Sequence, residues 1–170
     1  MQPEVVHEDE SFRIAFWNNV CISDIWGEMD APRMRLLGDY YRNLLRSYPR
    51  GIVALSALRP STPVSAADAR GEASRFLKDL DNKLLQVAMV VEADGVLGLM
   101  LRSVLRGVNA VVRPGRIFAS ESLERAAQLC AAQVTSSLRS DDVAPQLLAA
   151  IQSVRSKYIP SPLRSASPGR

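Results

Sequence analysis

Two kinds of hydrophobic spacing alternate along the chain. At residues 12–17 and 20–26, apolar side chains recur at about every second position, which is the spacing of half-buried β-strands. The residues between these segments, Asn18 and Asn19, tolerate the positive φ angles of a tight turn. The pattern therefore predicts a β-hairpin at the start of the fold.

Helical spacing follows the hairpin. Asp30 can cap a first helix, Pro32 lies in its tolerant first turn, and Pro49 with Gly51 ends it. One face of this helix carries large apolar residues at helical spacing: Met34, Leu37, Tyr41, Leu44, Leu45 and Tyr48. We expect that face to be buried against the rest of the domain.

Further helices are predicted toward the C-terminus. One begins at Ser65, whose hydroxyl can reach the backbone amide near Asp68 while the Asp68 side chain reaches back, as in a capping box. The others cover residues 96–106, residues 120–134 and a C-terminal segment capped by Asp141 or Asp142. In that last helix one face is shared by Val143, Leu147, Ile151, Val154 and Tyr158.

Apolar segments of strand length separate the helices, at residues 52–58, 85–91 and 116–118. Strands joined by helices imply right-handed crossovers, and the opening hairpin makes the sheet mixed. The predicted fold class is α/β: a mixed β-sheet of about five strands opening with a β-hairpin, four helices packed on it, and a C-terminal helix.

The predicted domain covers residues 12–134, an ordinary size for one domain. Residues 1–11 are expected to form an acidic N-terminal arm, which leaves His7 on a disordered surface. Residues 135–158 are expected to form a linker and an amphipathic helix, and residues 159–170 a disordered tail rich in Pro, Ser and Arg.

The charge pattern bears on possible partners. The net charge is +3, and the C-terminal part contains basic residues without acidic neighbours: Arg155, Lys157, Arg164 and Arg170. They are sparse and have no aromatic platform beside them, so a solvated tail is favoured over a site for nucleic acid or anionic lipid. We therefore do not expect nucleic acid to be a partner.

Cysteine usage and hydropathy bear on location. Cys21 and Cys130 lie in apolar stretches and suit a reduced interior. The acidic N-terminus lacks the features of a secretory signal, and no apolar stretch reaches the roughly 20 residues of a membrane helix. These features predict a soluble, cytoplasmic protein with no transmembrane segment.

The sequence contains no recognisable catalytic motif. There is no nucleophile with its base, no metal-ligand cluster and no phosphate-binding loop. Glu28, Asp30 and Asp39 have no histidine or cysteine near them in sequence, and the glycines of residues 94–98 lack a dinucleotide fingerprint. We expect no cofactor, no bound metal and no enzymatic activity.

Residues 12–134 resemble the STAS/SpoIIAA-like domains, named for bacterial anti-sigma-factor antagonists and related in fold to the CRAL-TRIO lipid-binding domains. The resemblance rests on segments found in order: Trp26-Gly27-Glu28-Met29-Asp30, Tyr48-Pro49-Arg50-Gly51 before an apolar strand, the strand from Gln86 to Val91, and Arg116-Ile117-Phe118 leading to Ser120-Glu121-Ser122-Leu123. Family members act mostly by binding.

The resemblance also implies a modification site. In the anti-sigma-factor antagonists, a partner kinase phosphorylates a serine at the start of a helix, within a motif of Asp, any residue, Ser and Gly. The matching region here, residues 58–65, lacks that Asp and Gly. Ser65 is the candidate for phosphorylation, and a simple helix cap is the alternative favoured by its residue type.

Two functional hypotheses follow. The first is a non-enzymatic regulatory or protein-interaction module that binds a partner or self-associates. Its candidate surface comprises Trp17, Trp26, Ser61, Ser65, Leu97, Met100, Leu101 and Tyr158. The alternative is a carrier that holds a small apolar ligand or lipid between helix and sheet, which predicts an enclosed cavity of roughly 300 Å³ or more.

Overall fold

The computed structural model describes residues 2–60, 62–80, 82–93, 116–137 and 139–156, together with positions 95, 98, 99 and 103. The helix predicted at residues 96–106 lies largely outside these residues. The tail predicted at residues 159–170 lies entirely outside them.

One sheet of six strands runs through the described part of the chain, with the strands side by side in chain order. The strands are β1 (Glu4–Glu8), β2 (Phe12–Trp17), β3 (Val20–Ile25), β4 (Ile52–Leu58), β5 (Leu84–Val91) and β6 (Ile117–Ser120). The first three are antiparallel, and β3 to β6 are parallel. The mixed sheet and its β2–β3 hairpin are confirmed, with one strand more than expected.

The additional strand corrects the prediction for the N-terminus. The sequence predicts an arm outside the domain at residues 1–11, but β1 pairs with β2 along the sheet edge. The Tyr40 hydroxyl donates to the Val6 carbonyl at 3.1 Å, and the His7 ring lies 4.8 Å from the Phe12 ring. His7 is therefore part of the domain.

In the described part of the chain, four helices cover the sheet: α1 (Ala31–Ser47), α2 (Ala67–Asp79), α3 (Leu123–Ala131) and α4 (Ser140–Ser156). Asp30 caps α1 as predicted, since its carboxylate accepts from the Arg33 amide at 2.9 Å. A helix is present at α2 as predicted, but its predicted start and cap at Ser65 are wrong. Its N-cap is Ala66, which has no side-chain hydrogen bond, and Asp68 accepts from the adjacent Ala69 amide instead of reaching back to Ser65.

The helices lie in two layers because neighbouring residues of a strand point to opposite faces of a sheet. One apolar cluster joins alternate strand residues such as Ile14 and Ala54 to α1 and α2. The other joins the intervening residues, such as Ala15 and Leu55, to α3 and α4. Both faces of the central strands are therefore covered, which explains their continuous apolar sequences.

Helix α4 belongs to this core, although the sequence placed it beyond the domain. Leu147 and Ile151 are fully buried against the sheet and α3. The predicted apolar face of the helix is confirmed for its described members, because it covers strand residues such as Trp17 and Ile22. Within the part of the chain that the structure describes, no helix is long and apolar enough to cross a membrane.

The hairpin turn also holds distant segments in place. Asn18 adopts the positive φ of 51° that its residue type allows. Asn19 is fully buried: its side-chain amide donates to the Gln133 carbonyl at 3.0 Å, and its oxygen accepts from the Thr135 amide at 2.7 Å. This turn therefore anchors the segment after α3.

Candidate functional site

A cavity of about 200 Å³ lies between helices α1 and α2 and the face of the sheet that they cover. Its walls are almost entirely apolar. The helices contribute Met34, Leu37, Tyr41, Ala73, Phe76 and Leu77, and the sheet contributes residues near the carboxyl ends of its parallel strands, including Ile25, Leu58 and Met89. In open α/β sheets this end of the strands is where ligands usually bind.

The packing of α1 against α2 explains the position of the cavity. Gly38 lets the helices approach closely, because a Cβ atom there would lie only 3.1 Å from Phe76. The Phe76 ring then meets the Tyr41 ring edge to face at 5.5 Å. Ala73 is one helical turn before Phe76 and has only a methyl group, so space remains between the helices and the sheet.

Methionines make part of the wall adaptable. Met29, Met34 and Met89 all line the cavity, which accounts for three of the five methionines in the chain. A thioether side chain is unbranched and polarizable, and it fills irregular space around different neighbours. The methionines therefore allow this part of the wall to change shape.

Hydroxyl groups form a small polar area in the wall. Ser23 and Ser56 are neighbours on β3 and β4, with their Oγ atoms 2.8 Å apart, and Ser56 lines the cavity. Burial raises the pKa of the nearby Tyr41 phenol, and the two serine hydroxyls partly oppose that shift by hydrogen bonding. The Tyr41 phenol is therefore a neutral hydrogen-bonding group at neutral pH.

The loop between β4 and α2 forms one side of the cavity. The Thr62 hydroxyl donates to the Ile25 carbonyl at 2.8 Å, and its amide donates to the Arg59 carbonyl at 2.9 Å, so the start of the loop is fixed to the sheet. Beyond it, Val64 is 43% exposed and still lines the cavity. At the start of α2, Arg70 donates to the Ser65 carbonyl at 2.5 Å.

A buried charged cluster lies on the opposite face of the sheet. Asp24 is fully buried and accepts two hydrogen bonds from Arg59, at 3.1 and 2.6 Å. Arg155 of α4 lies beside Asp24 and makes a bidentate pair with Glu92, at 2.6 and 2.7 Å. Arg13 also donates to the Val154 carbonyl at the end of α4. This cluster fixes α4 to the sheet.

The cluster corrects the interpretation of Arg155. The sequence placed this residue at the start of a solvated basic tail without acidic neighbours. The fold instead brings Glu92 and Asp24 to its guanidinium. Burial alone would lower the pKa of Arg155, but its hydrogen bonds to Glu92 and the negative charges of Glu92 and Asp24 together outweigh burial and raise the pKa.

Of the eight residues of the predicted interaction surface, the structure describes three: Trp17, Trp26 and Ser65. Trp17 is 2% exposed within the α3–α4 core, and Trp26 is buried with its Nε1 donating to the Glu10 carbonyl at 2.7 Å. Both tryptophans are therefore core residues and do not offer a binding surface. Ser65 is half-buried and lines the cavity. Outside the described residues lie Ser61, Leu97, Met100, Leu101 and Tyr158.

Potential nucleophiles and metal ligands are dispersed. Cys21 and Cys130 are free and buried; burial raises the pKa of the Cys21 thiol and raises that of Cys130 to about 12. Within the described ranges, no three His, Cys, Asp or Glu side chains are grouped so that they could hold a metal ion.

Solved structures identify the class of fold. An uncharacterized protein from Shewanella loihica PV-4, of the DUF3478 family and with a SpoIIAA-like fold, matches this chain with a TM-score of 0.51 and 13% sequence identity. The match covers 73% of this chain and 88% of that protein. The chain therefore has a SpoIIAA-like α/β fold, as the sequence predicted. No family model and no curated protein matches it.

Proposed function

We propose that this protein is a non-enzymatic binding module and that the cavity between α1, α2 and the sheet holds a small apolar ligand. The observation that carries the proposal is the cavity itself. Protein interiors are normally close-packed, with few voids larger than a water molecule, whereas this space measures about 200 Å³ and has apolar walls. An apolar ligand would restore the contacts that its lining lacks.

The volume limits the size of the ligand. Sites for drug-sized molecules usually exceed about 300 Å³, whereas an apolar cavity of about 150 Å³ can bind benzene. The cavity volume lies between these two values. It is smaller than the volume that the sequence analysis expected for a carrier. It suits a molecule with a single ring or a medium-length alkyl chain, and the three methionines allow some adjustment.

The environments of the reactive side chains support binding over catalysis. Both thiols are buried and have raised pKa values, so neither is a ready nucleophile near neutral pH. Among the hydroxyls at the cavity, those of Ser56 and Tyr41 have each other and Ser23 as neighbours, and no histidine is among the described lining residues. They provide hydrogen bonds and are not activated.

Methionine methyl NMR tests the proposal directly. The protein is labelled with ¹³C at its methionine methyl groups and titrated with 1-octanol. We expect saturable shifts of the Met29, Met34 and Met89 resonances, because these side chains line the cavity. If these three resonances stay unshifted up to the solubility limit of octanol, the proposal is wrong.

Matched alanine variants locate the binding site. Ala73→Leu adds bulk inside the cavity and should abolish the octanol shifts. Ala149→Leu adds the same bulk at an exposed position of α4, on the other side of the sheet, and should leave them unchanged. Loss of the shifts in both variants would indicate a general effect on folding and contradict the assignment.

A regulatory or protein-interaction module is the second candidate. The specific observation in its favour is Val64, which is exposed at the edge of the cavity, where a partner could bind an apolar residue. Sedimentation over a wide concentration range tests self-association. A dimer in the wild type that Val64→Glu dissociates would support this candidate; a monomer at every concentration would exclude self-association.

A further inference from the structure

Arg70 is a cationic side chain that lines the cavity and has no acidic partner among the described residues. Its guanidinium donates to the Ser65 carbonyl, and no carboxylate in the described part of the chain forms an ion pair with it. Neighbouring arginines are paired: Arg35 and Arg75 both contact Glu72, at 3.0 and 2.9 Å. The positive charge beside the cavity is therefore available to an anion.

Two hydroxyl groups lie in the same part of the cavity wall. Ser65 and Ser74 are half-buried and line the cavity. Neither hydroxyl has a hydrogen-bond partner within the described part of the chain. Together with the remaining N–H groups of Arg70, they form a polar rim beside otherwise apolar walls.

We propose that the ligand is an amphiphilic monocarboxylate, with its apolar body in the cavity and its carboxylate on Arg70. The inference rests on the proposed function and specifies the chemical class of the ligand. A planar guanidinium matches the geometry of a carboxylate, and charge-assisted hydrogen bonds are stronger than neutral ones. One arginine neutralises one negative charge, which favours a carboxylate over a phosphate dianion.

The cavity and the rim select different parts of such a ligand. The apolar walls would exclude a charged group from the interior because desolvating it without a partner is costly. Arg70 is exposed, so a carboxylate beside it keeps part of its hydration. A medium-chain fatty acid or a small aromatic carboxylic acid has both features.

Ligands that differ only in the head group test the inference. Octanoate, 1-octanol and octylamine are each titrated into the methionine-labelled full chain, below the concentrations at which they form micelles. We expect octanoate to bind about tenfold more tightly than octanol, and octylamine more weakly than both. In Arg70→Gln, octanoate and octanol should bind with similar affinity.

Arg75→Gln is the matched control. Arg75 is also an exposed arginine of α2, but it pairs with Glu72 and does not line the cavity. This variant should keep the preference for octanoate. Octanoate binding no tighter than octanol, or a preference that survives in Arg70→Gln, would overturn the monocarboxylate inference while octanol binding still supported the proposed function. If neither compound binds, both proposals fail.

A chain terminus carries the same carboxylate chemistry as a fatty acid. A short peptide ending in leucine with a free carboxylate therefore serves as a competitor. Decanoate is the reference competitor. If the peptide displaces octanoate at a lower concentration than decanoate does, the small-molecule assignment is overturned. Weaker displacement by the peptide supports a small monocarboxylate.

Discussion

Arg155 and Asp24 lie side by side, with Arg155 Nε 3.4 Å from Asp24 Oδ1, although one belongs to α4 and the other to β3. Asp24 is fully buried and also holds Arg59 through two hydrogen bonds. The charges of a buried carboxylate and its two arginines compensate one another only while all three groups are present. The cluster therefore couples the end of the last helix to the centre of the sheet.

Removing the charge of Asp24 should destabilise the protein strongly. Asp24→Asn leaves the guanidinium groups of Arg59 and Arg155 partly buried without their shared carboxylate, at an expected cost of about 3–5 kcal/mol. Urea unfolding monitored by circular dichroism measures it. Asp39→Asn is the control, because Asp39 forms an exposed pair with Arg42 whose loss should cost less than about 1 kcal/mol. Equal effects of the two variants would contradict this account.

Helix α4 should be required for stability. Leu147 is fully buried against the sheet and α3, so Leu147→Ala should lower the free energy of unfolding by about 2–5 kcal/mol. Leu148 is the adjacent residue and is only half-buried, so Leu148→Ala should cost clearly less. Thermal unfolding of both variants checks the order. A smaller loss for Leu147→Ala would indicate that α4 is only loosely attached.

Two glycines of the α1–α2 pair should respond in opposite directions to the same substitution. Gly38→Ala forces a methyl group against Phe76 and should cost about 1–3 kcal/mol. At Gly71 of α2, an added Cβ atom would have open space around it to a distance of 4 Å, so Gly71→Ala should stabilise the helix by about 0.5–1 kcal/mol. Chemical denaturation compares both with the wild type. Stabilisation by Gly38→Ala would show that the two helices are further apart than described.

Asp9 should contribute stability that depends on pH. Partial burial alone would raise its pKa, but hydrogen bonds from the Ser11 and Phe12 amides and from Arg33 outweigh it, so its pKa lies below 3.8. A lowered folded-state pKa means that the ionised form stabilises the fold. This contribution is fully present above the unfolded-state pKa and is lost as the pH falls through the folded-state value.

The Asp9→Asn variant measures this contribution. We expect it to be less stable than the wild type by about 0.5–1 kcal/mol at pH 7, with the difference shrinking below pH 3.8. Urea unfolding at a series of pH values gives the curve. Glu28→Gln, at an exposed position, is the control and should differ little from the wild type in its free energy of unfolding at pH 7. A difference that grows on acidification would contradict the direction of the Asp9 pKa shift.

The fold was predictable where local signals act alone. The alternation in β2 and β3, the turn at Asn18 and the cap at Asp30 depend on residues close together in the sequence, and all are confirmed. The start of α2 was not predictable from such local signals. Ser65 and Asp68 have the residue types of a capping box, but the residues at the loop instead line the cavity, and the helix begins at Ala67.

The site itself was harder to predict because it depends on distant pairs. The alternation at residues 12–17 and 20–26 predicted half-buried strands, so it did not indicate that Arg13 and Asp24, which are paired on β2 and β3, would both be buried. Nothing in the sequence indicated that Arg155 would join them. The cavity was even harder to predict from the sequence, because it results from the spacing of α1 and α2 on the sheet. The contact between Gly38 and Phe76 sets that spacing.

The order of the strands has a consequence for the nascent chain. Each strand of the sheet pairs with the strand that precedes it in sequence, so each one can join the sheet as soon as it has been synthesised. Helix α4 is the exception, because it covers β2 and β3 from more than a hundred residues downstream. At ordinary translation rates, Trp17 and its neighbours wait on the order of ten seconds for that cover. During that interval the growing chain exposes the apolar face of β2 and β3. A chaperone that recognises apolar side chains would bind to that face.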